Sequence, residues 1–147
     1  GGEPRRFAPL FDLYRRAAIQ GGHAPASLGT SINVHGFVAE TTERAADIFY
    51  GPQAEVMNRI GRERGWGPTS RAHYDHARGP EGALFVGDPE TLAEKIVAMH
   101  RVFGNTRFML QMAIGVMPHL ELMRAIELYG TKVGPMVRKA VSSASAS

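Results

Sequence analysis

The sequence predicts an α/β fold whose parallel strands are joined by right-handed crossovers. Helical and strand-like segments alternate along the 147 residues in the order helix, strand, helix, loop, helix, strand, helix. The later strand-like segment, Phe108–Ile114, is apolar on both faces except at Gln111, as in a parallel sheet that helices cover on both sides. The length fits one compact domain and leaves no room for a second full one.

The first half of the chain is predicted to form a helix, a strand and a second helix. Residues Phe7–Ile19 have apolar side chains at helical spacing and are followed by two glycines that stop a helix. The β-branched and aromatic residues of 31–38 predict a strand. Thr41 or Thr42 caps the next helix, which Gly51-Pro52 should break or kink, because proline lacks a backbone donor. The apolar face of the first helix comprises Leu10, Leu13, Tyr14, Ala17 and Ala18.

The middle of the chain is predicted to be a loop, a short strand and a helix. Residues Gly61–Gly82 are rich in Gly, Pro, Arg and His and indicate a long loop with one helical turn. Ala83–Val86 is a short apolar segment. Asp88 then precedes a proline at the first helical position, so we expect it to cap a helix that runs from Pro89 to Phe103.

The last part of the chain is predicted to be a strand and an interrupted helix. The strand covers Phe108–Ile114, and helical spacing resumes at Leu120 with a break near Gly134-Pro135. Residues 142–147 are a Ser/Ala stretch that we expect to be a disordered tail.

Composition and charge exclude several classes of function. Seventeen Lys and Arg stand against 14 Asp and Glu, but the basic residues alternate with acids, as in Arg62-Glu63-Arg64. This pattern favours solvated helix faces over a nucleic-acid surface. The chain contains no cysteine, and its longest apolar run is about half of the roughly 20 residues that span a bilayer. We therefore expect a cytoplasmic protein with no membrane partner. The absent initiator Met suggests a processed, tagged or excised chain.

Chemical motifs are sparse. The chain has no phosphate loop, no G-x-G-x-x-G and no H-E-x-x-H. His73 and His76 have helical metal-ligand spacing, but without a third ligand nearby we interpret them as solvated loop residues and expect no metal. Asp88 could touch an anion at a helix start, although capping alone explains it.

Three polar residues near strand ends are candidates for a binding site. His35 lies near the end of the first strand, Gln111 lies within the second long strand, and His119 follows it. Ligands of parallel α/β folds bind where strands end and loops begin. The alternative is that His35 and Gln111 are hydrogen-bonded core groups and that His119 caps the last helix.

Several segments together resemble the carboxyl-terminal third of the luciferase-like flavin monooxygenases. Two of them are Gly82–Ile96 and Arg107–Gln111, the second of which leads to Gly115 and Pro118-His119. The others are Arg6–Leu10, His35–Val38, Arg62–Trp66, Ile126–Leu128, Gly130-Thr131 and Val133. Each segment alone is weak, but their order makes the resemblance to the family strong, and it covers nearly the whole chain.

The resemblance implies a partial (β/α)₈ TIM barrel made of carboxyl-terminal βα units, with residues 1–141 as one incomplete domain. Complete barrels need about 250 residues. The family binds reduced FMN, or in some branches the deazaflavin F420, at the carboxyl ends of the strands. His35, Gln111 and His119 would line that pocket. No catalytic residue is assigned.

The resemblance also implies a function and partners. The full protein would be a flavin-dependent monooxygenase that uses oxygen on an unknown small organic substrate, is commonly dimeric and draws on a flavin reductase. Its flavin performs the oxidation, while the protein orients it and excludes water. The phosphate site would lie in units outside this sequence. The alternatives are a non-catalytic flavin-binding or interaction subunit and a basic nucleic-acid-binding domain.

Overall fold

The computed structural model describes residues 3–145 and contains a three-stranded parallel sheet. Strand β1 (Ser31–Val38) lies between β2 (Phe85–Gly87) and β3 (Arg107–Gln111). The last three residues of β1 pair with β2, and its first five pair with β3. Both pairings are parallel, which confirms the predicted α/β class and the predicted orientation of the two long strands.

Strand β3 pairs with β1 rather than with β2, its predecessor in the sequence. The strands of a complete barrel follow one another around the axis, so the order β2-β1-β3 differs from three consecutive barrel strands. Strand β2 has three residues and reaches only the carboxyl-terminal end of β1, whereas β1 has eight and offers hydrogen-bonding groups to two partners. Within residues 3–145, the outer edges of β2 and β3 have no strand partner.

Helices fill the connections between the strands. In the described chain they are α1 (Ala8–Gln20), α2 (Thr42–Arg64), α3 (Arg71–Ala77), α4 (Pro89–Phe103), α5 (His119–Leu128) and α6 (Gly134–Ser145). Thr41, Ser70 and Asp88 begin α2, α3 and α4, each accepting a hydrogen bond from a backbone N–H three residues later. The predicted bounds of α1, β1 and α4 are confirmed to within one residue.

Helix α2 continues through Gly51-Pro52, so the break predicted at this proline does not occur. A proline removes one backbone donor and crowds the residue before it. That residue is Gly51, which has no Cβ atom to meet the proline ring, and this relieves the crowding. One lost hydrogen bond does not end a helix of 23 residues.

Half of the segment predicted as a long loop, Gly61–Gly82, is helical. Its first four residues belong to α2, and α3 adds seven more at Arg71–Ala77. Sequence periodicity missed α3 because the structure buries only Tyr74 within it. Its cap at Ser70 was the available signal.

A wide helical turn at Tyr129–Val133 joins α5 to α6, and the N–H of Gly134 bonds to the carbonyl five residues before it. Pro135 follows directly, and the π-type turn accommodates its missing donor. The predicted break is therefore wrong. Helix α6 extends to Ser145, so residues 142–145 have a helical backbone, and the rest of the predicted disordered tail, 146–147, lies outside the described residues.

The core lies where the sheet meets α2 and α4. Phe37 of β1 stacks on Phe49 of α2 with ring centroids 5.9 Å apart, and Phe85 of β2 contacts Phe108 of β3 at 5.1 Å. Leu92 of α4 is fully buried beside them. These aromatic contacts hold the three strands against the two longest helices.

The apolar faces of α1, α5 and β3 are only partly covered within residues 3–145. The apolar stripe of α1 is largely exposed, with Leu10 58% exposed, and this helix packs instead through Phe11, whose ring lies 4.7 Å from that of Phe103. Strand β3 covers Arg107–Gln111 rather than the predicted Phe108–Ile114, and it alternates between exposed and half-buried residues because one of its faces is not covered within residues 3–145. In α5, Leu120 is also 81% exposed. None of the helices in residues 3–145 combines the length and apolarity that a membrane crossing requires.

Candidate functional site

Strand register brings His35 and Gln111 side by side. Their Cα atoms are partners in the parallel pairing of β1 with β3. Neighbouring strands lie about 4.8 Å apart, and paired residues project from the same face of the sheet. His35 is half-buried, whereas Gln111, the last residue of β3, is exposed. Two side chains that both donate and accept hydrogen bonds therefore stand next to each other.

His35 also lines a cleft of about 570 Å³ that runs along residues 31–35 of β1. The short strand β2 does not reach this part of β1, so the cleft is open there. The side chain lies in the middle of β1 rather than near its carboxyl end, since three more strand residues follow it. The other walls of the cleft include Phe11, Gln53, Met57, Leu84 and Phe103.

His119 is placed separately from these two residues. It is the first residue of α5 and is exposed, and Pro118 occupies the capping position without a side-chain hydrogen bond. The alternative role of His119 as the helix cap is therefore wrong. The structure thus brings together two of the three predicted site residues and places the third beyond the loop that follows β3.

The carboxyl ends of β1 and β2 are joined by a hydrogen-bond network around Asp88. Its carboxylate accepts from the N–H of Thr91 at 2.8 Å and from the hydroxyl of Thr42 at 2.7 Å. Thr42 in turn accepts from the N–H of Asp88 at 3.1 Å. Burial acts to raise the pKa of Asp88, but the hydrogen bonds from the two threonines outweigh it and lower the pKa. The predicted cap is confirmed, and sequence reasoning missed the part played by Thr42.

The arginines beside these strand ends are already paired with carboxylates. Arg124 contacts Glu40 at 2.8 Å and Glu127 at 2.7 Å, while Arg44 contacts Glu121 at 2.5 Å. The hydrogen bond from Arg124 is the main reason that the pKa of Glu40 is lowered. Neither arginine is therefore free to bind an anionic ligand.

These contacts test whether the residues present fit FMN. The imidazole of His35 and the amide of Gln111 match the hydrogen-bonding atoms of a flavin ring. The phosphate of FMN needs cationic or backbone donors, and the two arginines at this edge are engaged elsewhere. Within residues 3–145, the candidate site thus offers partners for the ring of the cofactor, whereas the two arginines beside it are not available for its phosphate.

His73 and His76 lie on α3, within the segment that was predicted to be a loop. Both are exposed. Within residues 3–145, no group of three or more His, Cys, Asp or Glu side chains is arranged to hold a metal ion.

The structure is similar to those of several monooxygenases. It matches monooxygenase RslO1 from Streptomyces bottropensis with a TM-score of 0.68 and 27% identity, over 90% of this chain and 38% of that one. It also matches the oxygenating constituent of 3,6-diketocamphane monooxygenase from Pseudomonas putida, which was solved in complex with FMN. That match has a TM-score of 0.62 and 21% identity, over 85% of this chain and 38% of that one.

A third similar structure is the long-chain alkane monooxygenase LadA, with a TM-score of 0.61 and 18% identity over 95% of this chain and 36% of that one. No protein-family model and no curated protein matches the sequence. The chain thus spans well under half the length of these similar structures and shares the fold of part of each.

Proposed function

We propose that this chain is the carboxyl-terminal part of a luciferase-like, flavin-dependent monooxygenase. The observation that carries the proposal is the match to RslO1 over 90% of the chain at 27% identity. The FMN complex of a second similar monooxygenase supports FMN as the cofactor, with F420 as the alternative. The whole protein would oxidise a small organic molecule with oxygen.

In this proposal His35 and Gln111 contact the flavin ring and His119 approaches it from the start of α5. The bound flavin would supply the oxidative chemistry. The two strand residues would orient the ring through hydrogen bonds from one face of the sheet, since they are register partners. The apolar cleft beside His35 would exclude water from the same region.

The missing phosphate site and the exposed helix faces fit a chain that works together with further barrel units. The exposed apolar residues lie on α1 and α5. Further strands and helices, or a second copy of the chain, would cover these faces. A separate flavin reductase, a homo-oligomeric state and a cytoplasmic location belong to the same proposal.

The proposal is tested with the complete reading frame that contains this sequence. We expect the purified protein to retain FMN and to consume oxygen when reduced FMN is supplied. Gln111→Ala should weaken FMN binding about tenfold, the loss of one good hydrogen bond, and Gln20→Ala on the exposed end of α1 is the matched control. Flavin retention without oxygen consumption would instead favour a non-catalytic flavin-binding subunit.

The isolated chain should behave differently. Because its site lacks a phosphate partner, we expect FMN to bind more weakly than micromolar in a titration of residues 1–147. Micromolar or tighter binding would mean that these residues form a complete flavin pocket on their own.

A further inference from the structure

Another cavity lies between α2, α3 and the loop that joins them. Its volume is about 640 Å³, and its lining includes Gln53, Met57, Trp66, Thr69, Tyr74 and Leu84. Helix α2 starts beside the carboxyl end of β1, whereas the cavity is built on later residues of that helix and on the segment before β2. It adjoins the cleft beside His35, with which it shares the walls Gln53, Met57, Ala83 and Leu84, whereas Trp66, Thr69 and Tyr74 line this cavity alone.

Gln53 provides an unpartnered hydrogen-bond acceptor in the wall of this cavity. The residue is 6% exposed, and its Oε1 has no hydrogen-bond partner among residues 3–145. Buried amide oxygens are nearly always paired, because an unpaired one has lost its water. Two donors of the lining are engaged elsewhere: the Tyr74 hydroxyl donates to the carbonyl of Ala46 at 3.0 Å, and the backbone N–H of Thr69 donates to Asn58 at 2.7 Å. The acceptor is therefore open to a donor from a ligand.

The cavity lining indicates an uncharged ligand. None of its lining residues is a Lys, Arg, Asp or Glu, His73 contributes an imidazole, and Met57, Ala77, Ala83 and Leu84 provide apolar surface. An ionic ligand would lose its hydration here without gaining a counterion. A molecule with an apolar body suits these walls.

Trp66 provides an aromatic surface at this cavity. It is 47% exposed, and it is the single tryptophan of the chain. Gly65, at φ 78°, ends α2 and turns the chain back. The indole then packs on Gly61, where a Cβ atom would lie 2.5 Å from the indole nitrogen. This packing holds the indole in place, where it can contact a planar ring.

We propose that the cavity binds a neutral, ring-sized apolar molecule that donates one hydrogen bond to Oε1 of Gln53. Phenols and cyclic alcohols have this chemistry. Such a site is additional to the proposed flavin function and does not depend on it.

The test compares two probes of nearly equal shape on the full chain, para-cresol and its methyl ether. Only the cresol carries an O–H donor. Trp66 lines this cavity and not the adjoining cleft beside His35. Its emission, excited at the red edge of its absorption, therefore reports binding at the Trp66 side of the shared walls. We expect a saturable change with cresol and about tenfold weaker binding of the ether.

Substitution of the acceptor completes the test. Gln53→Met should bring the cresol affinity down to that of the ether, while Gln20→Met, on the exposed end of α1, should leave the tenfold ratio intact. The ratio in the unsubstituted chain decides the matter if Gln53→Met does not fold. Equal affinities of the two probes, no change in Trp66 emission, or a ratio that survives Gln53→Met would each overturn the proposal.

Discussion

Replacing Asp88 by alanine tests the network that ties the start of α2 to the start of α4. The substitution removes the accepted bonds from the N–H of Thr91 and from the Thr42 hydroxyl, together with a third from the Thr91 hydroxyl at 3.1 Å. Loss of a cap alone costs about 0.5–2 kcal/mol. A lost charge-assisted bond to the half-buried Thr42 adds about 1–2 kcal/mol. We therefore expect Asp88→Ala to lower the free energy of unfolding by about 1.5–4 kcal/mol.

Urea denaturation followed by far-ultraviolet circular dichroism measures this loss. In a domain of this size it corresponds to a fall in Tm of roughly 5–15 °C. Asp88→Asn keeps an oxygen for the N–H of Thr91 and removes the charge, so it should cost less. Thr42→Val, alone and combined with Asp88→Ala, completes a double-mutant cycle. A coupling energy of zero between the two substitutions would mean that the hydrogen bond between Thr42 and Asp88 contributes no stability. An unchanged midpoint for Asp88→Ala would refute the reasoning altogether.

The pH dependence of the same carboxylate has a definite sign. Its pKa is lowered below the ordinary 3.8. The stability it contributes is therefore fully present above pH 3.8 and is lost as the pH falls through the lowered value. Asp88→Asn should remove this loss of stability at low pH. If the free energy of unfolding depends on pH in the same way in both proteins, the prediction is wrong.

Further predictions concern a glycine, a buried lysine and the exposed helix faces. Gly115 has φ 61°, and a Cβ atom there would lie 3.2 Å from the carbonyl oxygen of Pro52. Gly115→Ala should therefore lower the free energy of unfolding, measured in urea, by about 1–3 kcal/mol. An unchanged free energy of unfolding would contradict this. Burial lowers the pKa of Lys95 from 10.5 to about 8, so between these pH values the unfolded chain binds a proton that the folded chain has released. The free energy of unfolding, taken relative to that of Lys95→Met, should therefore rise from about pH 8 to pH 10.5. A difference between the two proteins that does not change with pH would contradict this. The exposed apolar faces at Leu10 and Leu120 should make the isolated chain self-associate, and substitution of both leucines by lysine should reduce this association. A clean 16.0 kDa monomer of the unsubstituted chain in sedimentation would contradict the partial-barrel interpretation.

Local signals in the sequence predicted the elements that local physics controls. The β-branched run of residues 31–38 forms a strand with the predicted bounds, and the Asp88-Pro89 pair begins a helix, because strand propensity and capping act over a few residues. The juxtaposition of His35 with Gln111 was not predictable in the same way. It depends on register between strands that are distant in the sequence.

The errors arise where tertiary context overrides local preference. Pro52 sits inside α2 because the glycine before it relieves crowding, and α3 escaped notice because it buries a single side chain. The apolar stripe of α1 is exposed in the described chain, and periodicity alone predicts such a stripe without saying whether its partner is present. Gln53 gave no signal at all, since nothing in a sequence marks an amide that is buried without a donor.

The central position of β1 has a consequence for synthesis on the ribosome. Just before β1, the N–H of Thr30 donates a hydrogen bond to the hydroxyl of Thr106, which lies 76 residues later and just before β3. At about 5–20 residues per second, translation of that interval takes roughly 4–15 s. During this time β1 is out of the exit tunnel with the edge for β3 uncovered, while α2 can already form from local contacts. The nascent chain should therefore be most vulnerable to aggregation after Val38 emerges and before Gln111 does, which is the interval that a chaperone would have to cover.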